Sequence, residues 1–203
     1  MNADRDMLRL AAAPPPRKLM RALQTIARDL HPTFEAEPWI RPGASFESCV
    51  LCSLAARDFL RGVGFASAEV APVMLTIRAF DQSGAQVHSL GAGVPDTLPD
   101  TDLRWNGHMV TTVGGWLIDC TLQRMNRPQW PWLPGSVIAP LWSKPTMLHG
   151  HSVMAGDMVE NDGLAVAIAW QATPQNERWR LGPDAYDERR RNVVATLVDA
   201  FKK

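Results

Sequence analysis

The order of sequence patterns predicts an α+β domain in which N-terminal helices pack on a mostly antiparallel sheet. Three observations carry this. Apolar residues recur at helical spacing only early in the chain and again at its end, runs rich in β-branched residues fill the middle, and Gly114-Gly115 sits between two such runs as a hairpin signal. Residues 1–16 read as a flexible arm closing on three prolines, and residues 17–203 as one domain. In 17–30, Leu19, Leu23, Ile26 and Leu30 define a helix face, and His31-Pro32 is expected to end it, because the residue before a proline is pushed out of helical space. A loop with three prolines follows. A second helix is expected over 48–63, stopped by Gly62 and Gly64.

Strands are expected at 69–80, 85–90, 107–113, 116–121, 136–142 and 163–171. The turn-rich stretch 91–104 is expected as a surface excursion, 125–135 as a Trp/Pro-rich loop, and 184–203 as a closing helix. Arg189, Arg190 and Arg191 are assigned to the wet face of that last helix, and Asp157, Glu160 and Asp162 to a solvated turn.

Lysine plus arginine equals aspartate plus glutamate, 21 each, so the formal charge is zero and a nucleic-acid partner is not expected. No apolar run is long enough for a membrane span, and the N-terminus does not read as a secretory signal. Three cysteines is an odd count, which argues against a disulfide framework and for a reducing, cytoplasmic location.

Two of those cysteines open the second helix in SCVLCSLAARDFLRGVGF. A two-residue Gly114-Gly115 loop pairs Val113 with Trp116 and, further along, Val110 with Asp119. His108 and Asp119 then become diagonal neighbours on one face, roughly 7 Å apart at Cβ, with Cys120 on the other face. A carboxylate-oriented histidine is what a cysteine nucleophile needs, since a free thiol has a pKa near about 8.5 and is mostly protonated at neutral pH. A helix start adds free N–H groups that favour a thiolate. Cys52, with Ala55, Ala56, Phe59 and Val63, forms an apolar stripe and reads as core, which leaves Cys49 as the nucleophile, His108 as base and acid, and Asp119 as its orienter.

These residues resemble the transglutaminase-like branch of the papain-like cysteine enzymes. That family places a cysteine at a helix start, then an arginine and glycine near the helix end, then a strand; here Cys49 precedes Arg61, Gly62 and Gly64 and a strand from about Glu69. Its second motif is matched by His108-Met109-Val110 and Trp116-Leu117-Ile118-Asp119-Cys120-Thr121, with Cys120 where the family has proline and Ser48 where it has glycine. The resemblance covers about 48–121, with 81–104 as an insertion. It implies a papain-like fold and a cysteine hydrolase or acyl transferase acting on an amide, acyl or peptide substrate through a thioester, without a cofactor.

Other readings stand beside this one. Cys49 can be a plain buried thiol, and the chain a non-catalytic binding or scaffold protein that keeps the fold. An arylamine N-acetyltransferase-like enzyme uses the same triad with an acyl-thioester donor. A zinc site at Cys49 and Cys52 lacks partners, since His149 and His151 stand two apart with no second Cys pair, so no metal is expected. Trp39, Trp130, Trp132 and Trp142 are candidates for a cleft wall, with core packing as the alternative.

Overall fold

The computed structural model describes residues 8–10, 14–93, 105, 107–144, 146–148, 150–172 and 177–203. Within the stretch read as an arm, β1 (Leu8–Leu10) pairs in parallel with β6 (Ser136–Pro140), Leu8 opposite Ser136. From residue 94 on, the expected excursion at 91–104 lies outside the described residues, as does His149.

Helix α1 runs from Arg17 to Glu35, so Pro32 lies inside it rather than after its end. A proline there removes one main-chain hydrogen bond. Tertiary contacts outweigh that local cost. Phe34, a turn beyond the expected stop, is fully buried, and the His31 ring is stacked on Phe46 with centroids 3.8 Å apart. Helix α2 (Cys49–Gly62) starts under a Ser48 cap, whose Oγ accepts the Leu51 N–H at 3.2 Å. After α2 come β2 (Glu69–Phe80), β3 (Gln86–Ala92), β4 (His108–Val113) and β5 (Trp116–Asp119), then β6 (Ser136–Pro140), β7 (Thr146–Leu148), β8 (His151–Asn161), β9 (Leu164–Ala172) and α3 (Arg191–Lys202).

Strand β8 replaces the expected solvated turn: Asp157 and Glu160 lie within it, and Asp162 with Gly163 makes the tight turn into β9. The closing helix is shorter than expected. Residues 183–189 form short 3₁₀ turns instead, because Asp184 and Arg190 are held by tertiary contacts. Arg190 is buried rather than wet, with Nε 2.6 Å from Asp58 Oδ2 and Nη1 2.8 Å from Ala185 O.

The strands form one sheet in the order β1-β6-β5-β4-β2-β9-β8-β7, antiparallel except for the β1–β6 pair, with β3 alongside the outer half of β2. The fold is thus α+β, with three α-helices and a curled antiparallel sheet among the described residues. Curling brings the chain just after β6 onto β8, where Trp142 N–H bonds Met154 O at 2.8 Å. Alternation then sorts side chains into two cores. Val113, Ile118, Cys120 and Ile138 face α1, α2 and α3, while Val110, Leu117, Ile168 and Trp170 fill the inner side of the curl.

Candidate active site

The hairpin sets the site. Gly114 and Gly115 both take positive φ, 54° and 83°, which a two-residue turn of this kind requires. The register is Val113 opposite Trp116, Thr112 opposite Leu117 and Thr111 opposite Ile118. One step further faces Val110 with Asp119, so His108 and Asp119 share the inner face and meet: His108 Nε2 lies 2.7 Å from Asp119 Oδ2. Cys120 falls on the helix face. Both partners are buried.

Asp119 is satisfied on every side. Oδ2 also accepts the Trp170 indole N–H at 2.9 Å, and Oδ1 accepts the Thr121 N–H at 3.0 Å. Burial alone would raise its pKa, yet His108 and these donors hold it below the ordinary carboxylate range. Burial likewise acts to lower the His108 pKa, but the Asp119 charge and hydrogen bond, helped by Cys49, win and push it up to about 10. At neutral pH the pair is therefore imidazolium and carboxylate.

Cys49 is the first residue of α2 and is 5% exposed. Its thiol is near enough to His108 to help raise the pKa of that ring. Since Nε2 is taken by Asp119, Nδ1 is the nitrogen left for the sulfur. The Sγ atom also lies 3.9 Å from Gly107 O. The backbone at this point is tightly packed. Gly93, at φ +77°, follows β3 against the His108 strand, and a Cβ there would collide with Val73 O and stand 2.8 Å from His108 N. Only glycine fits.

Ser48 Oγ takes the Leu51 N–H, and Cys52 N–H bonds Ser48 O. The Cys49 and Val50 N–H groups have no acceptor among the described residues. Ser48 in turn donates to Asp184, which also accepts from Arg189 Nη1 at 3.3 Å. Cys52 and Cys120 are different. Both are fully buried, and burial pushes both thiols well up, so both stay protonated.

The tryptophans divide. Trp39 is exposed and links to the site at one remove, its ring lying 5.2 Å from the Arg189 guanidinium. Trp130 is buried in the inner core, its N–H on Met125 O at 2.9 Å, and Trp132 packs against that same core. Trp142 lies against Gly156 of β8. The structure does not bring Trp130, Trp132 or Trp142 into the cluster around Cys49. That cluster holds Val50, Leu54, Met109 and Trp179, with Trp105 and Ala185 partly buried against it. Sequence reading missed Trp105, Trp170 and Trp179. Trp170 lies 51 residues from its partner Asp119, and no local pattern marks it. Trp179 carries a further signal, because its indole N–H is buried with no hydrogen-bond partner among the described residues.

Among the described residues, no group of three His, Cys, Asp or Glu side chains could hold a metal ion, and no helix is long and apolar enough to cross a membrane. No family model matches the chain, and no curated protein or solved structure matches it either.

Proposed function

We propose that this chain is a cysteine hydrolase or acyl transferase of papain-like, transglutaminase-like architecture, working on an amide, acyl or peptide substrate. One observation carries the reading: a cysteine at a helix start meets a histidine whose far nitrogen is held at 2.7 Å by a buried carboxylate. With His108 held as imidazolium, the proton that the reaction moves rests on the ring when the sulfur attacks. Cys49 Sγ attacks the substrate carbonyl carbon. The C=O π electrons move to oxygen, and the Cys49 and Val50 N–H groups at the helix start are the donors nearest to receive that charge.

The Trp179 indole N–H is the third candidate donor. A buried donor left unpaired costs about 1–3 kcal/mol, and an acyl oxygen over Cys49 would relieve it. Collapse of the tetrahedral species expels the amine or alcohol, which takes the Nδ1 proton of His108 and leaves a thioester on Cys49. Water, or a second amine, then attacks the thioester as His108 takes its proton, and the thiolate leaves. Asp119 holds the ring tautomer throughout.

A second reading has its own support. The thiol is only 5% exposed, which suits a protein that keeps this fold for binding and turns nothing over. Turnover of activated esters and peptidyl amides by wild type and by folded Cys49→Ala separates the two. Activity lost in the variant supports the enzyme, and equal activity, or none in either, supports the binding protein. An acyl-thioester donor added to the same panel separates hydrolysis from the acetyltransferase-like alternative.

A further inference from the structure

The hydrogen bonds of Asp119 do not end in the inner core. Its Oδ1 accepts the Thr121 N–H at 3.0 Å. The carbonyl of that same peptide unit, Cys120 O, lies 2.7 Å from His31 Nε2 on the helix side of the sheet. A single peptide unit thus connects Asp119 to a second buried imidazole. The chain continues outward. His31 Nδ1 is 3.1 Å from Ser45 Oγ, Ser45 Oγ is 2.5 Å from Glu35 Oε1, and Glu35 Oε2 accepts the Gly43 N–H at 2.8 Å.

Counting protons along this chain gives a definite result. A carbonyl only accepts, so His31 Nε2 carries a proton. The Ser45 hydroxyl has one proton and two neighbours that want it, Nδ1 and the Glu35 carboxylate. If the hydroxyl donates to Glu35, Nδ1 needs a proton of its own. If it donates to Nδ1, Glu35 needs one. Either complete arrangement holds one proton more than neutral His31 with ionised Glu35.

We propose that His31 is a positioning residue for the His108–Asp119 pair, acting through the Cys120–Thr121 peptide, and that the Glu35–Ser45–His31 chain makes this action depend on one proton. The role rests on the catalytic reading of Cys49; the hydrogen-bond chain does not. An imidazolium at His31 is the stronger donor to Cys120 O. It polarises the peptide, strengthens the Thr121 N–H bond to Asp119, and so weakens the hold of Asp119 on the His108 proton. The groups facing His31 are Glu35 from α1, Ser45 and Phe46 from the 44–47 turn, Cys52 of α2 through Ser45 O, and Cys120 from the end of β5. Glu35 is the one charged group of this set, since burial keeps both thiols neutral. Burial lowers the His31 pKa below the ordinary histidine value, so the chain is complete in acid and one link short at neutral pH.

The test follows the ring resonances of His31 and His108 in the isotope-labelled full chain from acid to neutral pH, together with the rate of Cys49 alkylation by iodoacetamide. The His108 N–H resonance should shift at the midpoint of the His31 titration, and the alkylation rate should show an inflection at that same midpoint. His31→Ala should speed alkylation by up to about tenfold, the worth of one hydrogen bond, because Asp119 then holds the His108 proton more tightly and the charged ring favours reaction at the sulfur beside it. His31→Gln, which keeps an N–H for Cys120 O but cannot titrate, should bring the rate most of the way back and lack the inflection. If His31→Ala does not fold, Glu35→Gln carries the test, by moving the His31 midpoint and the inflection together to lower pH. A His108 resonance and an alkylation profile that both ignore the His31 midpoint overturn the inference while leaving the proposed function standing. An inert Cys49 beside a His108 resonance that follows His31 removes the proposed function and leaves the chain.

Discussion

Replacing Asp119 by Asn keeps the size of the side chain and removes its charge. In the folded protein this carboxylate is fully buried and accepts from His108, Trp170 and Thr121. Without it, the buried His108 imidazolium has no counter-ion and must lose its proton. The size of the effect follows from the His108 shift, from 6.5 to about 10. At about 1.4 kcal/mol per pKa unit this sets a ceiling of about 5 kcal/mol, and breaking a buried ion pair typically costs about 3–5 kcal/mol. The sign is definite. A raised histidine pKa gives stability that is full below the unfolded value of 6.5 and fades as pH rises to about 10. The lowered Asp119 pKa gives stability that fades only in acid, as pH falls through its folded value. Urea unfolding of wild type and Asp119→Asn at a series of pH values measures the gap. It should be about 3–5 kcal/mol near pH 6 and shrink by up to about 1.4 kcal/mol per pH unit above that. A gap that is small at pH 6, or flat up to pH 10, refutes the ion pair and with it the electrostatics of the site.

Three further outcomes are expected. Brief alkylation near neutral pH, read by peptide mapping, should label Cys49 first and reach Cys52 and Cys120 only on unfolding, because burial keeps both of those as thiols. Trp179→Phe keeps the ring in the Cys49 cluster but removes the unpaired N–H, so thermal melting should show unchanged or slightly higher stability while turnover falls about tenfold or more. Pro32→Ala restores an N–H inside α1 and should raise stability by about 1 kcal/mol in the same melts, the gain being cut by the added freedom of the unfolded chain.

Local rules made the hairpin readable. Two glycines fix a turn, a turn fixes register, and register alone puts His108 and Asp119 on one face with Cys120 on the other. The start of α2 was readable for a similar reason, a serine cap before an apolar stripe. Where the sequence misled, long-range contacts had overruled local preference. Pro32 should have ended α1, but Phe34 is buried two residues beyond it. Arg190 should have been wet, but Asp58, 132 residues away, holds it inside. Strand β8 was overlooked because Gly156, Asp157 and Asn161 dilute its strand signal, although the Asp162-Gly163 turn marked its end. The candidate site was legible as Cys49, His108 and Asp119 and illegible as their surroundings. Trp170, Trp179 and His31 reach it from separate elements, with no spacing pattern to join them.

The central claim is that Cys49 takes an acyl group. The direct measurement is the mass of the intact protein after a brief reaction with an activated acyl ester and acid quench, followed by mapping of the modified peptide. One acyl mass is expected on the peptide carrying Cys49, cleared by hydroxylamine, present in Cys52→Ala and absent from Cys49→Ala. An adduct on Cys52 or Cys120, or an unmodified Cys49 in the folded wild type under every acyl donor tried, would contradict it.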